Sequence, residues 1–326
     1  MPRPRRPLAL ILILALTTAS GSRVAAQSLT VTQVAASGHI LVLLSDGSVV
    51  GLGENRAGQL ARPPVIRRFL PAARIDLPTK ASQVVAEGDT SFAVLDDGTV
   101  WAWGRGNERQ LGMAVAGTDR FTPAPVPGLR DVKEISVRGN TALAVLNDGT
   151  VRAWGELPEV IRGARAAVPG VSPPMPVAGL EHVVHVTGGN PYGFALTDDG
   201  RVLAWGANRR GALGLGRITE QAQAITELST LKDVVSIQVG ASATIAVTHD
   251  GRVWTWGHNE QANLGNGAHA DVSDAAEPTP QPVKGITDAV EVKTGSYGRH
   301  VIVRRRNGTL IGWGNSDWGQ LGAGVS

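Results

Sequence analysis

The sequence of 326 residues contains no cysteine, so it can form neither disulfide bonds nor cysteine-ligated zinc sites. Aromatic residues are also few, at 4% of the chain, with eight Trp, four Phe and two Tyr. Hydrophobic residues nevertheless make up 42% of the chain. The stability of the fold must therefore come from packing of a largely aliphatic core.

Long apolar runs are missing apart from residues 8–16, and these are too few for a membrane-spanning helix, which needs about 20. The run follows three arginines and precedes small residues that end at Ala26, a pattern typical of a secretory signal. We therefore predict a signal peptide over 1–26, a single mature domain over 27–326, and a secreted or periplasmic location without stable membrane insertion. An uncleaved N-terminal anchor is the alternative.

The charge of the chain also depends on this segment. Residues 1–26 contain four of the 31 basic residues and no acidic one, which leaves 27 basic against 28 acidic residues in the mature chain. A nucleic-acid-binding domain needs a basic stripe or patch. The near-neutral balance therefore predicts no nucleic-acid partner.

A phrase such as TSFAVLDDGTVWAWG, residues 90–104, returns through the whole chain. Its turn glycines are separated by 51 residues four times and by 57 residues once. Self-similarity at about 50 residues is typical of propellers and repeat arrays. The six turn glycines are Gly47, Gly98, Gly149, Gly200, Gly251 and Gly308.

Each repeat is predicted to contain four antiparallel strands. In the second repeat, apolar runs flank Asp97-Gly98, a pair typical of a type I′ hairpin turn. A short strand near 125–129 and a last strand over 131–139 complete the unit. Four such strands form one propeller blade, which must pack on its neighbours.

The ends of the chain suggest how the blades meet. Residues 28–38 match the last strand of the other units, whereas the final repeat has no such strand. We therefore predict an all-β propeller of six four-stranded blades in which the N-terminal strand completes the last blade and closes the ring. A seven-bladed or an incomplete ring is the alternative.

The loops after each Trp-Gly follow one template, as in WGNSDWGQLGAG (313–324) and WGANRRGALGLG (205–216). Together with the Asp-Gly turns, this template resembles the repeat of the regulator of chromosome condensation (RCC1) family. The resemblance implies a β-propeller, and secretion and the lack of cysteine make the chain similar to secreted bacterial members. The third repeat departs from the template, because the Gln-Leu-Gly motif is missing after Gly155.

Recurring residues of the repeat are interpreted as scaffold, so a binding site is expected in the irregular loops. The loops after Trp-Gly and the loops that precede each hairpin should lie on one face of the disc, which we call the loop face. Aromatic and arginine side chains there are candidates for binding a protein. The candidate residues are Tyr192, Tyr297, Trp318, Arg56, Arg109, Arg209, Arg210, Glu108 and Glu260.

No sequence motif indicates catalysis, a cofactor or a metal. The seven histidines lack zinc-site spacing, and glycine-rich stretches are not followed by a helix. The sequence therefore predicts an exported, monomeric, non-catalytic propeller that binds another macromolecule, with a protein as the favoured class of partner. Two alternatives are a regulator of a small GTPase that acts as a guanine-nucleotide exchange factor, which the family resemblance implies, and a cell-envelope or carbohydrate-binding module.

Overall fold

The structure is a computed structural model that describes residues 29–107, 109–112, 118–162, 174–188, 191–240, 243–267, 276–294, 299–317, 319 and 321–322. It consists almost entirely of antiparallel strands arranged in six blades, which confirms the prediction of a six-bladed all-β propeller. No helix within these ranges is long and apolar enough to span a bilayer. The predicted signal peptide, 1–26, lies outside the described residues.

The blades follow one another along the chain. The strands of blades 1 to 3 are β1 (Val31–Ala36), β2 (His39–Leu44), β3 (Val49–Asn55), β4 (Val65–Ile75), β5 (Ala81–Glu87), β6 (Thr90–Leu95), β7 (Val100–Gly104), β8 (Arg120–Pro125), β9 (Val132–Arg138), β10 (Thr141–Leu146), β11 (Val151–Gly155) and β12 (Met175–Pro176). The strands of blades 4 to 6 are β13 (Val183–Gly188), β14 (Tyr192–Thr197), β15 (Val202–Asn208), β16 (Thr219–Glu227), β17 (Val234–Val239), β18 (Ala243–Thr248), β19 (Val253–His258), β20 (Ala276–Pro282), β21 (Ala289–Thr294), β22 (His300–Arg305) and β23 (Leu310–Gly314). The helical elements within the described ranges are α1 (Glu159–Arg162) and a 3₁₀ turn (Glu260–Ala262).

The repeated hairpin turns have three residues rather than the predicted two. In blade 2, the N–H of Leu95 donates to the carbonyl of Thr99, which leaves three residues between them. The N–H of Gly98 donates to the carbonyl of Leu95. Gly98 has a φ of +75°, but Asp97 does not share this conformation, as a type I′ turn would require. Asp97 instead accepts hydrogen bonds from the backbone and hydroxyl of Thr99, at 2.9 and 2.6 Å. The type I′ prediction is therefore wrong. The aspartate does not adopt a positive φ but stabilises the turn through hydrogen bonds to its side chain.

The predicted division of the strands between blades is also wrong by one strand. The strand β9, expected to end the second unit, pairs with β10 and is the innermost strand of blade 3. By the same rule β1 pairs with β2 inside blade 1 and does not complete the last blade. Blade 6 therefore has three strands within the described residues, β21 to β23. The repeat period gives the spacing of the strands but not which neighbour each one pairs with.

The core is divided among the contacts between consecutive blades. Five apolar clusters are present in the described part of the chain, one at each junction from blade 1–2 to blade 5–6. The recurring tryptophans join these clusters, and each reaches back to the preceding blade. The indole N–H of Trp103, for example, donates to the carbonyl of Gln59 at 2.9 Å. The interpretation of these recurring tryptophans as scaffold is confirmed, because they pack between blades.

Side chains of the innermost strands also join neighbouring blades. The Gln33 amide donates to the carbonyl of Val84 and accepts from its N–H, both at 2.9 Å. Gln83 makes the same pair of bonds to Ile135 in the next blade. A polar side chain thus takes the place of the backbone partner that an innermost strand lacks.

Candidate protein-binding face

The loop face is formed as predicted, because the strand register brings two kinds of loop to the same end of each blade. Thr90 pairs with Gly104, and Thr141 pairs with Gly155. The loop that precedes each second strand therefore emerges beside the loop that follows each Trp-Gly. The Asp-Gly turns lie at the opposite end, which we call the turn face.

The predicted candidates fall into three groups. Arg56, Arg209 and Arg210 are exposed on the loop face, and Arg109 and Glu260 are half-buried there. Tyr192 is different, because it is only 8% exposed and its ring packs edge-on against Phe194, with centroids 6.3 Å apart. Tyr192 thus belongs to the core and cannot serve as an accessible anchor. The remaining candidates, Glu108, Tyr297 and Trp318, lie outside the described residues.

The most strongly organised part of the loop face surrounds a buried carboxylate, that of Asp89. Arg56 Nε lies 2.8 Å from one carboxylate oxygen and Arg105 Nη2 lies 2.7 Å from the other. The Gln59 amide adds a third donor at 3.2 Å. The Asp89 side chain is 5% exposed, whereas those of Arg56 and Arg105 are 59% and 43% exposed. One buried acid therefore fixes two guanidinium groups at the surface, and this arrangement is the Asp89 cluster.

Asp89 and Arg105 were not among the residues predicted from the sequence, whereas Arg56 was. Asp89 belongs to the loop between β5 and β6, and Arg105 directly follows the Trp-Gly of blade 2. The predicted topology already placed the loops that carry these two residues at the same end of blade 2. An ion pair between an acidic residue in one loop and a basic residue in the other could have been predicted from this placement.

A second group of charges lies where blades 4 and 5 meet. Arg210 Nη1 donates to Nδ1 of His258 at 2.9 Å, so this nitrogen acts as an acceptor. Arg209 lies 3.6 Å from the carboxylate of Glu220, and both side chains are strongly exposed. Exposed ion pairs of this kind contribute little to stability. Their charges are therefore available to influence what approaches this part of the face.

The inner end of the loop face is crossed by one arginine. Arg138, at the end of β9 in blade 3, donates to the carbonyls of Val239 and Gly240 in blade 5, at 3.1 and 2.7 Å. The carboxylate of neighbouring Glu87 accepts from the Gly139 N–H at 3.0 Å, and burial raises the pKa of Glu87. Burial likewise raises the pKa of Tyr192. These contacts hold the inner loops in place.

Other recurring residues of the loops are structural, as the sequence predicted. The side chain of Asn55 accepts from the Leu60 N–H at 2.8 Å, and Asn208 does the same for Leu213 at 3.1 Å. Both leucines are buried. In the third repeat, which lacks this motif, the short helix α1 places Ile161 in the core instead. The departure of the third repeat from the template thus corresponds to a different loop structure after Gly155.

The turn face carries a separate feature, an open cavity of about 830 Å³ between blades 4 and 5. Aspartates 198, 199, 233 and 250 line it together with Lys232 and Trp254. The Asp199 pKa falls to about 2 because of hydrogen bonds from Thr197 and Arg201. No group of three or more metal-ligating side chains is positioned to hold an ion among the residues described. Asp199 and Asp250 accept hydrogen bonds from the hydroxyls of Thr197 and Thr248, so these two aspartates belong to the hairpin turns of blades 4 and 5.

The topology, the repeating loop motif and the interblade tryptophans define a six-bladed propeller built from tandem repeats. The model of the RCC1-like domain family matches residues 13–326, and the chain belongs to that family.

Relatives with known names share parts of this chain. It is 35% identical over 242 residues to the human probable E3 ubiquitin-protein ligase HERC6, covering 71% of this chain but 24% of HERC6. The ultraviolet-B receptor UVR8 of Arabidopsis thaliana is 28% identical over 310 residues, covering 89% of this chain and 66% of UVR8. Among solved structures, yeast RCC1 (Prp20) bound to Kap60 has a TM-score of 0.73 at 22% identity, covering 89% of this chain and 70% of that one. The last likeness shows the shared fold.

Proposed function

We propose that this protein is exported and binds another protein through its loop face, without catalysing a reaction. The observation that supports the site is the Asp89 cluster, in which a buried acid holds two arginines at the surface. Arginine presents a rigid fork of donors to carboxylates and carbonyls, and side chains fixed in advance lose less entropy on binding. The fold neighbour Prp20 was solved in complex with a protein, Kap60, which supports a protein as the class of ligand.

The double variant Arg56→Ala/Arg105→Ala tests the face. We expect it to lose most of the binding to any partner captured by the purified protein, with affinity lowered at least about tenfold, because truncation of fixed arginines at an interface costs more than about 1.4 kcal/mol. Arg74→Ala is the matched control, since Arg74 is a half-exposed arginine paired with Asp46 at the turn face. Affinity should be measured by titration calorimetry with the captured partner. If both variants lose affinity equally, or if neither loses affinity, the loop face is not the binding site.

The same capture distinguishes the classes of ligand. A protein partner should be released by protease and identified by cross-linking to loop-face residues, whereas a glycan ligand would survive protease treatment. An accelerated release of guanine nucleotide from a captured small GTPase would replace the proposal with an exchange activity.

Export rests on the segment 1–26, whose basic, apolar and small-residue parts follow the order of a secretory signal. N-terminal sequencing of the protein recovered from the extracytoplasmic fraction should begin at Gln27. Protein that begins at Met1 and stays in the cytoplasm would contradict export.

A further inference from the structure

The outer strand of blade 1, β4, contains a large β-bulge. Two consecutive residues at the end of β3, Glu54 and Asn55, pair with Phe69 and Val65, so the three residues between these partners have no counterpart on β3. Extra residues of this kind leave the ladder and bend the strand. We call residues 66–69 the β4 bulge. It lies at the circumference of the disc, at the end of the blade that carries the loop face.

The β4 bulge places two large apolar side chains in water. Ile66 is 77% exposed and Phe69 is 78% exposed, the highest values for large hydrophobic residues in the described part of the chain. Single exposed apolar side chains are common on protein surfaces, but grouped ones mark contacts with proteins or membranes. Two such side chains within four residues therefore indicate a contact site.

Blade 4 shows that the fold does not need apolar residues at this place. Its strands β15 and β16 have a similar irregularity at the same register, since Asn208 pairs with Thr219 and Gly206 pairs with Gln223. The intervening residues of β16, 220–222, are Glu, Gln and Ala, and all three are exposed. The apolar side chains of the β4 bulge are therefore not required to form a bulge.

The segment around the β4 bulge is also strongly basic. Residues 56–75 contain five arginines and no acidic residue, although the whole chain has 31 basic and 28 acidic residues. Arg56 and Arg74 are paired with aspartates. Arg67 and Arg68 belong to the bulge itself and lie between its two apolar residues in the chain. This composition suits a partner that is anionic at its surface and apolar beneath it.

A strand of another molecule is a poor candidate for that partner. Pro63 and Pro64 precede the bulge and Pro71 follows it, and proline has no backbone N–H to donate to a neighbouring strand. Proline at the edge of a sheet is a common device against strand pairing between molecules. Two apolar side chains are also few for a protein interface, which takes about 20 residues from each partner. A lipid surface needs neither a paired strand nor a complementary shape.

We infer that the β4 bulge docks the propeller on the surface of a membrane that contains anionic phospholipids. Ile66 and Phe69 enter the boundary between the headgroups and the acyl chains, and the positive charges of Arg67 and Arg68 are attracted to the lipid phosphates. The strength of such binding depends on the apolar area that leaves water and on the attraction to anionic lipid. The contact needs no membrane-spanning segment and is independent of the Asp89 cluster.

The absence of cysteine allows a probe to be placed at the bulge alone. The variant I66C, treated with an environment-sensitive fluorophore that reacts with thiols, carries a single label. On vesicles of equal parts phosphatidylcholine and phosphatidylglycerol, its emission should shift to shorter wavelength and saturate. The matched control is I218C, because Ile218 is 50% exposed beside the corresponding bulge of blade 4, and its emission should not shift. Since each label reports its own surroundings, binding of residues 1–26 to the vesicles would not imitate this difference.

Substitutions in the labelled I66C protein separate the two contributions. Phe69→Ser should weaken vesicle binding at least about tenfold, because the other large apolar group of the bulge is lost. The double variant Arg67→Gln/Arg68→Gln should weaken it about thirtyfold, because two cations near an anionic leaflet are removed. Arg74→Gln is the control on the same strand, since Arg74 is paired with Asp46 at the turn face, and it should bind nearly as before. Vesicles of phosphatidylcholine alone should bind at least about tenfold more weakly.

Any of three results would overturn the inference. The first is an emission of labelled I66C that anionic vesicles leave unchanged, or that they shift no more than the emission of labelled I218C. The second is an equal shift with soluble polyglutamate, which would mean that the bulge binds an acidic polypeptide instead of lipid. The third is a shift that appears without vesicles as the protein concentration rises, which would make the bulge a contact between copies of this chain.

Discussion

The third strands of blades 2 and 6 have similar sequences but opposite environments. β7 reads VWAWG and β23 reads LIGWG, and each continues an Asx-Gly hairpin. Val100 at the start of β7 is fully buried, but Leu310 at the start of β23 is mostly exposed. The pattern within a strand therefore does not decide its burial. The segment that follows the outer strand decides it, by adding two aliphatic side chains to the junction.

The sequence of blade 6 partly reflects this difference. At the position of Val94, the partner of Val100 across the hairpin, blade 6 has Arg304. Arg304 Nε lies 3.0 Å from the carboxylate of Glu291 on the neighbouring strand. Blade 6 thus combines a charged pair with one uncovered leucine.

The largest expected difference between the two blades is in how much their tryptophans contribute to the free energy of unfolding. Trp103 is fully buried and Trp313 is half-buried, yet both indoles donate to a carbonyl of the preceding blade at 2.9 Å. Trp103→Ala should lower the free energy of unfolding by about 3–5 kcal/mol, because a large buried side chain is removed and a cavity remains. Trp313→Ala should cost about half as much. Urea denaturation followed by far-ultraviolet circular dichroism measures both.

An equal loss in the two tryptophan variants would contradict the comparison. It would mean that the hydrogen bond to the preceding blade, which both share, determines the contribution rather than burial. Replacement by phenylalanine provides the control, since it keeps most of the apolar area and removes only the indole N–H.

The next difference is in the response to acid. His39 of blade 1 and His300 of blade 6 occupy the same register position, opposite Gly53 and Gly314. Burial lowers the pKa of His39 to about 4, against the opposing charge of Asp89. Burial also lowers the pKa of His300, which is only half-buried. Both groups are therefore more easily protonated in the unfolded chain, and acid destabilises the fold through them.

The sign and range follow from these values. The unfolded His39 titrates near 6.5, so its contribution is complete above that pH and is lost as the pH falls toward 4. The loss over this range is on the order of 3 kcal/mol. His39→Gln should flatten the dependence of the unfolding free energy on pH between 6.5 and 4, and His300→Gln should change it less. Urea titrations at half-unit intervals of pH test this, and an unchanged slope in His39→Gln would contradict it.

The parts of the fold that follow from local chemistry could be predicted from the sequence. The turn glycines, the buried tryptophans and the leucines of the loop motif each recur at the repeat period and act within one blade or one junction. The strands with which β1 and β9 each pair could not be predicted, because a strand at the boundary of a repeat fits either neighbouring hairpin equally well. Only the backbone partners of that strand distinguish the two.

The candidate site was predicted less completely for a related reason. Arg56 stands out in its loop, but its role depends on Asp89, which lies 33 residues away. Tyr192 was expected on the surface because it borders a loop. It is instead the first residue of β14, and it packs in the core with Phe194. Side-chain direction at the end of a strand depends on the register, which the sequence pattern did not fix.

The smallest expected change in unfolding free energy comes from a direct comparison of the two aliphatic residues, Val100 and Leu310. Val100→Ala removes two buried methyl groups from a packed cluster and should lower the free energy of unfolding by about 2 kcal/mol. Leu310→Ala removes a larger group from a side chain that is mostly in water and should change it by less than about 0.5 kcal/mol. Urea denaturation of the two variants measures both changes. An equal loss in the two variants would contradict the comparison, because it would mean that burial at this register position does not determine the contribution of the side chain.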